Sequence, residues 1–241
     1  MKLTFISDTH NKHQSIGVSD NGGDIIFHSG DATGHGSEWE IVKFLKWYSE
    51  LNYKHKVFIP GNHDFGFEKE PSKYRKMFAD AGVHLLIDEG VTLEGINIWG
   101  SPVTPWFHNW AFNRARNGAE ASLHNVDFIF PHWDMIPQDT DILITHGPPY
   151  MILDELQYVD GTPKGQFVGC EDLLARIKEV GPKIHAFGHI HCGYGTKKVD
   201  DTLFINASCL DETYSPGNEP INVEFVDGEV ESHDIVNKET H

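Results

Sequence analysis

Histidine occupies 16 of the 241 positions, and it is both a common metal ligand and a common acid–base group. Five short stretches hold the residues whose types and spacing could do chemistry: Asp8-Thr9-His10, Gly30-Asp31, Gly61-Asn62-His63-Asp64, Thr145-His146-Gly147 and Gly188-His189-Ile190-His191. Residues two apart on an extended chain point the same way, so Asp8 converges with His10, and His189 with His191. Together the stretches offer seven ligands: Asp8, His10, Asp31, Asn62, His146, His189 and His191. Mixed oxygen and nitrogen donors suit borderline divalent ions such as Mn, Fe, Co, Ni or Zn better than Ca or Mg. Seven are too many for one tetrahedral zinc and match two ions sharing one carboxylate. Paired ions stabilise both the attacking and the leaving oxygen in phosphoryl displacement.

Elements must bring these stretches together. Short apolar, β-branched runs bounded by turn residues predict strands over 2–7, 24–29, 56–60, 96–99, 141–145, 184–187, 202–206 and 222–226. A capping box, Ser37-Glu38-Trp39-Glu40, opens a helix running to about Leu51. Pro71 opens a second helix over 71–81, and Gly181-Pro182 closes a third over 170–180. A weaker pattern marks a fourth over 120–133. Each chemistry-bearing stretch follows a predicted strand, and layered α/β proteins form their sites outside the carboxyl ends of strands. No repeat, low-complexity tract or linker interrupts 1–241, so a single domain of α/β (α+β) class is expected.

Composition narrows the partners. Thirty-six acidic against 19 basic residues give a net charge of −17, which repels polyanions at long range and disfavours a stable nucleic-acid partner. A small phosphorylated substrate bound through metal ions is compatible with that charge, because the ions dominate locally. Cys170, Cys192 and Cys209 form no CxxC pair, which argues against a disulfide framework or an all-cysteine zinc site. No apolar run approaches the roughly 18 residues of a membrane helix, and no secretory leader pattern follows Met1. A cytoplasmic protein without a membrane partner is expected, with a homo-oligomer left open.

The order DxH, GD, GNHD, TH, GHxH resembles the calcineurin-like metallophosphoesterase superfamily, over about three quarters of the chain, Asp8 to His191. The stretches Ile6-Ser7-Asp8-Thr9-His10, Thr104-Pro105-Trp106-Phe107, Thr145-His146-Gly147-Pro148-Pro149, Gly193-Tyr194-Gly195-Thr196 and Ile205-Asn206-Ala207-Ser208 resemble its metallophosphoesterase-domain-containing subfamily, grouped with class III cyclic nucleotide phosphodiesterases. The resemblance implies a four-layer sandwich, two mixed β-sheets flanked by helices. It also implies that Asp8, His10 and His191 hold a first metal, that Asn62, His146 and His189 hold a second, and that Asp31 bridges them. His63 would be the non-ligand imidazole that contacts phosphate and protonates the leaving oxygen.

Two departures accompany it. Some phosphatases of the superfamily carry an Asp three residues after the metal Asp to orient the catalytic histidine. Here that position is Gly34, so the partner of His63 is open. Some animal members of the subfamily have Gly at the first His of GHxH, whereas this chain keeps His189. The implied activity is hydrolysis of a small, cyclic or nucleotide-like phosphodiester by in-line attack of hydroxide with two divalent ions, manganese foremost. The alternative is a nucleotide-binding regulatory protein with weak residual phosphodiesterase activity.

Other residues read more plainly. Asp64 is expected to satisfy backbone amides of its turn rather than bind metal. His13, His28 and His35 are expected to be surface or satisfied core histidines, as are His55, His84, His108, His124, His132, His185, His233 and His241. Cys192 is expected to be a buried thiol. The segment from Trp99 to Arg116 is rich in aromatics. There Trp106 and Phe107 could stack a nucleobase, Pro105 suggesting an irregular loop, and Arg116 could grip phosphate through its fork.

Overall fold

The computed structural model describes residues 1–19, 21–157 and 165–234; His241 lies outside them. The strands are β1 (Lys2–Ile6), β2 (Gly23–His28), β3 (Tyr53–Phe58), β4 (His84–Leu85), β5 (Glu89–Leu93), β6 (Ile96–Ser101), β7 (Thr104–Pro105), β8 (Asn113–Arg114), β9 (Ile142–Thr145), β10 (Glu155–Leu156), β11 (Gln166–Phe167), β12 (Ile184–Phe187), β13 (Gly195–Val199), β14 (Thr202–Asn206), β15 (Ile221–Val226) and β16 (Glu229–His233). The helices are α1 (Glu38–Glu50), α2 (Phe65–Lys69), α3 (Pro71–Asp80), α4 (Gly118–His124), α5 (Phe130–Asp134) and α6 (Glu171–Val180).

Strands apolar at nearly every position need cover on both faces. β9 and β12 are buried at all their positions. Two six-stranded sheets supply that cover, ordered β16-β15-β1-β2-β3-β4 and β13-β14-β12-β9-β6-β5. β1 to β4 run parallel, as do β6, β9, β12 and β14, with antiparallel strands outside them. Alternate residues sort to two faces. Leu3, Phe5, Ile25 and Phe27 meet Ile142, Ile144, Ile184 and Ala186 between the sheets. The opposite faces carry Ile6, Ile26 and Phe58 against Ile41, Phe44 and Phe78 of α1 and α3. Leu143 and Phe187 pack against Trp133, Leu173 and Ile177 of α5 and α6. The result is the expected layering of helix, sheet, sheet, helix.

Local signals explain the boundaries. The Ser37 side chain accepts from Glu40 N while Glu40 Oε2 accepts from Ser37 N at 2.9 Å, a cap worth about 1 kcal/mol. The region 120–133 is not one helix. Asn125 takes a left-handed backbone, φ 53°, and splits it into α4 and α5. Pro105 belongs to a two-residue strand pairing with β8 rather than to an irregular loop. The outer strands β5, β13 and β16 carry polar residues on an exposed face and lack the apolar runs of the inner strands. No helix among the described residues is long and apolar enough to cross a membrane.

His185 and His13, like His28, sit neutral in the interior. His185, on β12, is buried and bonded through Nε2 to Thr145 Oγ1 at 2.8 Å, and burial pushes it down to about 3. His13 is buried against Trp47 with neither ring nitrogen hydrogen-bonded, and burial pushes it down to about 4. The unfolded chain binds protons at these groups below about pH 6.5 while the folded chain does not, so stability falls as pH drops from there. By pH 5 the loss is about 2 kcal/mol per histidine. Urea unfolding at pH 7.5 and 5.0 checks this. His185→Gln, which keeps a donor for Thr145, is expected to recover about 2 kcal/mol of the difference.

Candidate metal centre

Both sheets deliver their chemistry at the carboxyl ends of parallel strands. Past β1 the chain turns sharply, with left-handed backbones at Asp8 (φ 53°), His10 (φ 37°) and Asn11 (φ 64°). Asp31 past β2 (φ 54°) and His189 past β12 (φ 67°) share that conformation. Such strain persists where surrounding bonds over-determine it. Asp8 N donates to Gly30 O at 2.9 Å and His10 N to Asp31 O at 3.0 Å, lacing the first two loops together. His189 N donates to the Asp8 carboxylate at 3.0 Å, and Ser208 Oγ, past β14, does so at 2.8 Å.

The motif glycines follow from this crowding. A Cβ at Gly61 would collide with Asp31 Oδ1, and one at Gly188 with Asp8 Oδ2 and Ser7 Oγ. Only a residue without a side chain lets the carboxylates approach so closely.

The donor atoms form two clusters. Asp8, His10 and His191 bring ligand atoms within 4.8 Å of one another, as do Asp31, His146 and His189. Asp31 also clusters with His10 and His63, with its Oδ2 3.7 Å from His10 Nε2 and 3.4 Å from His146 Nε2. Asn62 Oδ1 lies 2.9 Å from His146 Nε2. All seven predicted ligands thus meet in one place, with Asp31 between the clusters.

Their protons are placed by backbone carbonyls, which only accept. His146 Nδ1 faces Ser29 O, His191 Nδ1 faces Asp211 O and His63 Nδ1 faces Gly34 O, each at 2.9 Å. Each Nδ1 therefore carries hydrogen and Nε2 is turned to the site, available to an ion at His146 and His191 and to a substrate at His63. His10 Nε2 is buried without a hydrogen-bond partner among the described residues. Carboxylate, amide and imidazole lone pairs facing one another repel unless positive charge lies between them. The donor set therefore fits divalent cations.

The same carboxylates draw positive charge onto the imidazoles. Burial alone would lower His146 and His191, but the Asp31 and Asp8 carboxylates outweigh it and raise each to about 9. Burial alone would raise Asp8 and Asp31, but the imidazoles hold both well below the usual carboxylate range. His10 and His189 are lowered by burial, to about 4 and about 3.

Other expectations can be placed. Asp64 accepts from Gly61 N, Ala32 N, Thr33 N and Thr33 Oγ1 at 2.6–3.2 Å, binding the second loop to the third. His28 is a satisfied core histidine, bonded to Thr9 Oγ1 and Gly30 N. The Cys192 thiol is buried and donates to Glu155 O at 3.3 Å. The open partner of His63 is the Gly34 carbonyl itself. Trp110 lies against the His63 ring, centroids 4.2 Å apart. Trp106 instead stacks on His124 at 3.4 Å. Phe107 is exposed against His108, and Arg116 Nη2 donates to Val168 O. Trp110 was legible as an aromatic in 99–116 but not as the one at the site. Tyr214, beside His10 and His191, had no sequence signal.

The calcineurin-like phosphoesterase family model matches residues 1–193. The chain is 36% identical over 247 aligned residues to metallophosphoesterase domain-containing protein 1 of Homo sapiens, covering 93% of this chain and 71% of that protein. It is 34% identical to UPF0046 protein K07C11.7 of Caenorhabditis elegans, covering 86% and 69%. In fold it is similar to the phosphopantetheinyl hydrolase of Mycobacterium tuberculosis, with TM-score 0.55, 16% identity and 86% and 88% of the two chains covered. Protein TT1561 of Thermus thermophilus gives TM-score 0.54 at 14% identity, covering 85% and 88%. The chain belongs to the calcineurin-like phosphoesterase family.

Removing the shared carboxylate or crowding its neighbour should dismantle the clusters. Chelator-stripped protein is expected to take up two equivalents of Mn in calorimetric titration. Asp31→Asn should retain at most one, and Gly188→Ala, which presses on Asp8, should lose the site built on Asp8, His10 and His191. Two equivalents bound by Asp31→Asn with unchanged affinity would contradict the shared-ligand geometry.

Proposed function

We propose that this phosphoesterase hydrolyses small phosphodiesters, cyclic or nucleotide-like, with two divalent ions, manganese foremost. Asp8, His10 and His191 hold one ion, Asn62, His146 and His189 the other, and Asp31 joins them. The observation that supports this reading is the pair of donor clusters meeting at one buried carboxylate. Such ions, when bound, supply Lewis acidity to the phosphoryl group and acidify water toward a pKa of about 7.

The chain's own residues orient and protonate. His63 N donates to Asp31 Oδ1 at 2.8 Å, fixing the backbone of the imidazole to the bridging carboxylate. Its Nδ1–H is committed to Gly34 O, so Nε2 is the atom that gives a proton to the leaving oxygen. General-acid help of this kind contributes roughly 10²–10⁴-fold. Trp110 limits the tilt of that ring. The net charge of −17 repels polyanions and favours small substrates over nucleic acid. The presence of His189 in the second cluster favours a working enzyme over a nucleotide-binding regulator.

A hydrolysis screen with Mn, covering 2′,3′- and 3′,5′-cyclic nucleotides and bis-p-nitrophenyl phosphate, tests the reading. Activity is expected with Mn and absent in chelator; full activity in metal-free protein would sink it. His63→Ala should keep two metal equivalents while kcat falls about 10²–10⁴-fold for alkoxide leaving groups and much less for p-nitrophenolate. Metal content falling in step with kcat would reassign His63 as a ligand.

A further inference from the structure

The turn over 211–215 has a strained residue that the metal clusters do not explain. Tyr214 holds a left-handed backbone, φ 60°, although it bears a large side chain that is 43% exposed. That conformation is unfavourable for a residue with a Cβ and survives only where neighbours over-determine it. Here they do. Asp211 Oδ1 accepts from Thr213 N at 2.8 Å, Thr213 Oγ1 at 2.6 Å and Ser215 N at 2.9 Å. Tyr214 N donates to Asp211 O at 2.9 Å, and Lys12 Nζ donates to Tyr214 O. The same Asp211 carbonyl accepts Nδ1–H of His191. One turn thus orients a metal-site imidazole and fixes the tyrosine.

The fixed ring meets those of His10, 4.9 Å away at 70°, and His191, 5.2 Å away at 69°. Beside it opens a cavity of about 230 Å³, lined by Tyr214, Leu156, Gln157 and Glu212, with His189 and His191 in its wall. Common ligand pockets run about 300–1,000 Å³, so this one suits a single ring system next to the phosphate rather than a long chain. Leu156 and Tyr214 offer apolar faces. Glu212 and Gln157 offer polar groups to a ring edge, an acceptor and a mixed donor and acceptor.

We infer that Tyr214 determines specificity: its ring stacks a flat heterocycle carried by the phosphoester, selecting nucleoside phosphodiesters over ring-free ones. The inference rests on the phosphodiesterase reading above. An exposed tyrosine serves no core, and the hydrogen-bonded turn holds its aromatic face at the mouth of the site.

The test compares Mn-loaded protein on adenosine 2′,3′-cyclic phosphate and on ribose 2′,3′-cyclic phosphate, which lacks the base. Base–aromatic stacking is worth roughly 5–150-fold. Tyr214→Ala is expected to lower the ratio of kcat/KM for the two esters by about that factor, through KM for the adenosine ester. Tyr214→Phe, which keeps the face, should retain the ratio. An unchanged ratio in Tyr214→Ala overturns the inference, as does metal content falling in step with activity, which would make the tyrosine a cover for His10 and His191. Equal efficiency of the wild type on both esters overturns the inference and leaves the phosphodiesterase reading standing. Failure of the wild type on both esters and on bis-p-nitrophenyl phosphate overturns that reading itself.

Discussion

The rest of the structure depends on one buried carboxylate, Asp31. Its Oδ1 is occupied by the His63 amide at 2.8 Å. Its Oδ2 faces the Nε2 atoms of His146, His10 and His63 at 3.4, 3.7 and 4.0 Å. A buried anion without a counter-charge costs several kcal/mol, and imidazoles presenting lone pairs add to that cost. Positive charge has to reside between these groups. The left-handed turns, the side-chain-free glycines and the carbonyls that fix each Nδ1 all maintain an arrangement that gathers positive charge.

The fold divides this labour between its sheets. The oxygen donors Asp8, Asp31 and Asn62, with His10, come from loops past β1, β2 and β3. The donors from the other sheet, His146, His189 and His191, are imidazoles past β9 and β12. One sheet edge is anionic, the other is rich in imidazole nitrogen, and the apolar core between the sheets brings them face to face.

Much of the site was legible in the sequence for a physical reason. Each candidate ligand lies just past an apolar run, and a glycine precedes Asp31, Asn62 and His189 because a Cβ there would strike a neighbouring candidate or its support. What escaped was of three kinds. The position of the His63 partner, Gly34, was marked, but a backbone carbonyl is common to every residue, so its role was not. Trp110 and Tyr214 reach the site from irregular loops, where no periodicity tells which aromatic faces inward. The outer strands β5, β13 and β16 are held by backbone pairing beside an already formed sheet, which leaves a weak hydrophobic pattern.

The position of β1 has a consequence in time. It lies between β2 and β15, and Phe5 pairs with Ile221. A ribosome adding about 5–20 residues per second needs on the order of 10–40 s to make the intervening chain. Throughout that interval one edge of an apolar strand waits unpaired, and the Ser208 hydroxyl that steadies Asp8 has yet to emerge for most of it. The nascent protein therefore passes through a long stage with an open strand edge and an unfinished acidic cluster. An unpaired strand edge of this kind is the surface through which a folding intermediate aggregates.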